Sequence, residues 1–315
     1  TKKLLNEGVA SVNDVDEDVL RYELESFVCR GQYEIGLVHI LQTYLNNLRN
    51  PQQPGVWVSG FFGSGKSHLV KILAALWINK RFADDATARG ITDLPQEVQE
   101  LFIELSNEEK RHGGLHSASG TLKSDDDSNS VRLTILSVIF KSINLPAKYH
   151  LASFVLWLKD EGILDDVKDY VEQHDKNWEK EILSLHVSKL IREALLIHRP
   201  NLFFDEKTCA ETLRSQYPSG KDVSSDDMVE AIRKALTQNN KFPLTLIVLD
   251  EVQQYIGEDS QRSLDVQEAV EACCKKFHGK LLFIGTGQTA VNGTSNLKKL
   301  EGRFTVPVEL SDNDV

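Results

Sequence analysis

Gly60-Phe61-Phe62-Gly63-Ser64-Gly65-Lys66-Ser67 is the stretch whose residue types and spacing carry the clearest chemistry. It fits G-x-x-x-x-G-K-[ST], a loop that wraps phosphate groups. A polyphosphate must shed water to bind, so its charge has to be met by something else. Gly60, Gly63 and Gly65 tolerate φ > 0 and let successive N–H groups turn inward. A helix starting at Lys66 adds the positive end of its dipole. Lys66 would reach the β- and γ-phosphates, and the Ser67 hydroxyl would ligate Mg²⁺. The nucleotide-contacting stretch is expected to run from Gly60 to His68, with His68 also packing on its own helix. From composition alone such a match turns up in about one chain in a hundred of this length.

A second constellation lies 184 positions after Lys66. The apolar run Pro243-Leu244-Thr245-Leu246-Ile247-Val248-Leu249 closes on Asp250-Glu251. Such a pair at the end of a buried strand suits metal-assisted phosphoryl transfer. Asp250 would hold the Mg²⁺ shell, and Glu251 would orient and deprotonate the attacking water. Thr286 and Gln288, just past the next strand, are candidates to contact the γ-phosphate or the water. Arg303 is a candidate finger acting on the next subunit's γ-phosphate, with a surface ion pair as its alternative. His112 and His116 have i, i+4 spacing, but Gly113-Gly114 breaks the helix that a metal pair would need. The whole reading requires Lys66 and Asp250 to lie close enough to share one magnesium-bound ligand.

Elements able to position these residues follow from apolar periodicity. Two helices are expected before the loop, one from Asp16 and one over about Tyr33 to Leu48, against the nucleobase side of the site or simply packed there. Gly55-Val56-Trp57-Val58 is the strand before the loop, and Lys66 to Lys80 the helix after it. Asp93-Leu94-Pro95 reads as a helix start, with Asp93 as the cap. Leu115 to Leu122 is the second strand, Lys123 to Ser130 an acidic loop, and Val131 to Ile143 a helix. Residues 146–240 read as an all-helical insertion, with helices over Leu151–Leu158, Leu164–Glu172 and Trp178–Ile197, and a further one from Met228 capped by Ser225-Asp226-Asp227. Strands at 243–249, 280–284 and 304–310 complete a parallel sheet. The expected organisation is an α/β core formed by 1–145 and 241–315, interrupted by the insertion.

The 315 residues carry 36 Lys and Arg against 47 Asp and Glu, a net charge of −11. That argues against extensive DNA contact by this chain. Cys29, Cys209, Cys273 and Cys274 form no C-x-x-C pair and read as free thiols of a reducing, cytoplasmic protein. No apolar run is long enough to span a bilayer. Residues 1–14 are polar and expected to be loosely ordered.

The order of loop, helix, short strand, Asp-Glu strand, polar-ended strand and Gly302-Arg303-Phe304 resembles the AAA+ (ASCE) branch of P-loop ATPases. More closely, Val56 to Ser67, Leu246 to Tyr255, Gly285-Thr286-Gly287-Gln288 and Gly302 to Asp312 resemble the large P-loop ATPases of bacterial BREX and Pgl phage-resistance systems, the BrxC/PglY family. That resemblance implies an ATP- and Mg²⁺-dependent ATPase acting as motor or switch beside other defence proteins, among them a methyltransferase and a phosphatase-like protein. It also implies a much longer native chain, with the helical lid beyond Val315. A homo-oligomer assembled through an interface containing Arg303 is expected beside the ATPase reading. Two alternatives stand beside it: a nucleotide-gated scaffold with negligible turnover, and a component of a DNA translocase or helicase.

Overall fold

The computed structural model describes residues 16–122 and 130–311. The expected loose start at 1–14 and residues 123–129 of the acidic loop lie outside them. The chain divides into two compact units, residues 1–142 with 224–315 and residues 143–223.

The first unit is built on a five-stranded, wholly parallel sheet of β1 (Val56–Gly60), β2 (Leu115–Thr121), β3 (Leu244–Asp250), β4 (Leu281–Gly287) and β5 (Val306–Leu310). Its spatial order is β2-β3-β4-β1-β5, so β4 separates the loop-bearing strand from the Asp-Glu strand. Every residue of β3 and β4 is buried, as near-continuous apolar runs require in a parallel sheet covered on both faces. Thr286 lies inside β4 and not beyond it, because the ladder to β1 continues through Val58 and Ser59. The last strand begins at Val306; Phe304 instead packs its ring edge-on to Trp57 at 5.5 Å.

One face of the sheet, presenting Val58, Leu246, Val248 and Ile284, shares a core with α1 (Glu17–Ser26), α2 (Gln32–Asn47), α3 (Lys66–Trp77), α4 (Ala88–Ile91) and α5 (Gln96–Glu109). The other helices of this unit are α6 (Val131–Ser142), α12 (Ser225–Leu236), α13 (Val252–Ile256) and α14 (Ser260–Lys276). Helix α5 starts later than expected, with Pro95 in extended conformation as its N-cap in place of Asp93. Helix α4 carries Arg89, whose guanidinium donates to the carbonyls of Leu76 (2.7 Å), Trp77 (2.7 Å) and Phe102 (3.1 Å) and so caps α3 from outside.

The second unit holds α7 (Tyr149–Asp160), α8 (Leu164–Gln173), α9 (Trp178–Glu181), α10 (Lys189–His198) and α11 (Glu206–Gln216) around Phe154, Leu158, Val167, Trp178, Ile191 and Leu213. The single helix expected over Trp178–Ile197 is broken at Leu185–Ser188, where the Ser188 hydroxyl caps α10. The expected insertion, residues 146–240, is too long at its end. Helix α12 belongs to the first unit, since its stripe of Met228, Val229, Ile232 and Leu236 packs beside α6 and α14. Its cap is Ser224, in a reciprocal box with Asp227, one residue before the expected start.

Candidate functional site

The carboxyl ends of β1, β3 and β4 meet at a cavity of about 460 Å³. Parallel sheets leave such crevices where loops depart from the strand ends. Period-2 alternation explains which side chains arrive there. Leu246, Val248 and Asp250 share one face of β3; Leu282, Ile284 and Thr286 share the matching face of β4. Their apolar members pack with Leu69, Ile72 and Leu73 of α3, so the next polar residue on each strand faces the start of that helix.

Between β1 and α3 the loop turns on two left-handed glycines, Gly63 (φ +88°) and Gly65 (φ +82°). Gly65 is also the N-cap of α3, and no side chain caps that helix start, in contrast to α12 and α14. A Cβ on Gly65 would stand 1.9 Å from the Tyr33 hydroxyl, so α2 lies directly against the loop. Ser64 is buried, and its hydroxyl has no hydrogen-bond partner among the described residues. Lys66 Nζ donates to the carbonyls of Gly60 (2.6 Å) and Phe61 (2.8 Å). Burial pulls the Lys66 pKa down, and the charge of Asp250 opposes that shift. His68 packs across to Phe27 of the α1–α2 turn, with ring centroids 5.6 Å apart, and not only on its own helix. Burial lowers its pKa, holding the ring neutral at neutral pH; the Glu23 charge opposes this and Lys71 adds to it.

Opposite the loop, the Thr286 hydroxyl donates to Asp250 Oδ1 at 2.5 Å. The Thr286 hydroxyl oxygen in turn accepts from the Glu251 backbone N–H at 2.9 Å, and Asp250 Oδ1 accepts from that N–H at 3.1 Å. Glu251 sits at φ +59°, an uncommon conformation for a residue with a side chain, held by these bonds at the head of α13. Thr286 therefore uses its proton on Asp250.

Of the expected site residues, Phe62, Gly63, Gly65, Lys66, Ser67 and His68 line the cavity on one side, and Asp250, Glu251, Thr286 and Gln288 on the other. Gly60 closes β1 behind the loop, Phe61 is 40% exposed at its tip, and Ser64 is buried beneath it. Arg303 is elsewhere. It lies at the amino end of β5 and pairs with Glu271 (Nη2 to Oε2 2.6 Å) beside a separate pocket. Gln253 and Gln254 also line the cavity, and nothing in their spacing marked them in advance.

The cavity could hold a small anionic ligand together with a cation. Its volume lies in the range of small-ligand pockets. The start of α3, which no side chain caps, and the glycine turns favour an anion, and the Ser67 hydroxyl and Asp250 carboxylate could serve as oxygen ligands to a divalent cation. Among the described residues no cluster of three or more His, Cys, Asp or Glu could hold a metal by itself. No helix among them is long and apolar enough to cross a membrane. No protein-family model matches the sequence.

Proposed function

We propose that this chain is the ATPase module of an AAA+-like (ASCE) P-loop protein that binds ATP with Mg²⁺ and hydrolyses it. The observation that carries the reading is the convergence of Lys66, Ser67, Asp250 and Glu251 on one cavity at the carboxyl ends of parallel strands. The loop N–H groups and Lys66 bind the phosphates. Ser67 and Asp250 hold the metal, which when bound neutralises charge on the phosphate oxygens. Glu251 orients a water and takes its proton. Phosphoryl transfer asks little more of the protein than such positioning.

The sequence resemblance extends the proposal to a BREX- or Pgl-type defence protein working with methyltransferase and phosphatase-like partners. Arg303 is then assigned to a neighbouring subunit's site, which it reaches only after leaving Glu271. Calorimetry with Mg-ATP tests the core of the reading. The parent binds, Lys66→Ala does not, and Glu251→Gln binds without releasing phosphate. Undiminished ATP binding by Lys66→Ala would falsify it.

A further inference from the structure

Gln253 stands on α13, two residues beyond Glu251, and its side-chain oxygen is the meeting point of one small network. Oε1 accepts from the backbone N–H of Gln288 at 2.6 Å and from that of Thr289 at 3.0 Å. The Thr289 hydroxyl lies 3.4 Å from the same oxygen. On its other side the Thr289 carbonyl accepts from Trp57 Nε1 at 2.9 Å. Trp57 belongs to β1, three residues before Gly60, and its ring fills the space beside Gly285 and Gly287.

The chain of bonds runs from the phosphate-loop strand, through the exit of β4, to the helix that carries Glu251. Without Gln253, the Gln288 and Thr289 N–H groups lose the acceptor that receives them past the end of the strand. Helix α13 has five residues and begins from a left-handed Glu251. Its own hydrogen bonds therefore do little to fix where that carboxylate points. Thr286 holds the Glu251 backbone N–H from one side; Gln253 fixes the helix two residues on.

We infer that Gln253 is a positioning residue: it clamps the β4 exit to α13 and so sets the Glu251 carboxylate against the reacting end of the nucleotide. This rests on the ATPase reading above. The clamp uses only the acceptor oxygen, and that makes it separable from bulk packing. Glutamate at 253 keeps an acceptor of the same reach; leucine keeps the volume and loses it. Because residue 253 also lines the cavity, an added carboxylate repels the bound phosphates.

The two variants should therefore move different constants. In steady-state ATP hydrolysis with Mg²⁺, Gln253→Leu is expected to lower kcat by about ten- to a hundredfold with KM within about twofold. Gln253→Glu is expected to keep kcat within about threefold and to raise KM. Thermal unfolding of both variants guards against simple loss of fold, and amide exchange at Gln288 and Thr289 should quicken in the leucine variant alone. An active parent with Gln253→Leu at parental kcat overturns the clamp, as does equal loss of kcat in both folded variants. A parent that neither binds nor turns over ATP overturns the ATPase reading instead, and this role with it.

Discussion

Thr286 and Asp250, on neighbouring strands and 36 positions apart, share a buried hydrogen bond of 2.5 Å from hydroxyl to carboxylate. The pair joins the carboxylate proposed to hold Mg²⁺ to β4, the strand paired with β1. Thr286→Val keeps the shape and removes the donor. The expected result is nearly unchanged nucleotide affinity without metal, a higher Mg²⁺ requirement, and turnover lower by about tenfold or more. Thr286→Ser should restore most of it. A Mg²⁺ titration of phosphate release measures this, and identical curves for parent and valine variant would refute it.

Gly65 combines a left-handed backbone with contact to Tyr33. Gly65→Ala therefore meets two obstacles: backbone strain of about 1–2 kcal/mol and a collision with the phenol oxygen. Adding Tyr33→Phe removes the atom in the way but leaves the strain. ATP binding is expected to be lost in the single variant and only partly regained in the double. Full recovery in the double variant would mean that the backbone conformation contributes nothing.

Lys71 of α3 and Glu23 of α1 form an ion pair at 2.7 Å with side chains 5% and 10% exposed. Removing one partner leaves a buried charge, so Lys71→Met should destabilise the fold by about 3 kcal/mol. The double variant Glu23→Leu, Lys71→Met should lose much less. Denaturant unfolding of the two variants decides it.

His116 of β2 packs beside α6, where its Nε2 lies 2.9 Å from Ser142 Oγ. Ser142 donates its own proton to the Ile139 carbonyl, so the imidazole is the donor to Ser142. Burial pushes the His116 pKa from 6.5 to about 4. Between these values the unfolded chain binds the extra proton and the folded chain does not, so stability rises with pH across that window. The contribution is complete above pH 6.5 and is lost as pH falls towards 4. His116→Asn should flatten the acid limb of a melting-temperature profile between pH 7 and 4.5; an unchanged slope would count against it.

Local chemistry made the glycine-rich loop at 60–67 readable: its glycines, lysine and serine are adjacent in the chain, and the apolar runs on either side have unmistakable periods. The same holds for β3 and β4, whose near-continuous apolar residues suit a parallel sheet covered on both faces. By itself, then, the sequence determined the parallel α/β core and the residues that could hold a phosphate. Tertiary structure decided which polar groups speak to one another. Thr286 turns to Asp250, Gln253 reaches Gln288 and Thr289, and Arg89 finds two carbonyls at the end of α3 and one on α5, all through contacts between residues that chain spacing does not relate. It also decided that α12 serves the sheet unit and not the helical one, because an amphipathic stripe states that a helix will be buried without stating against what.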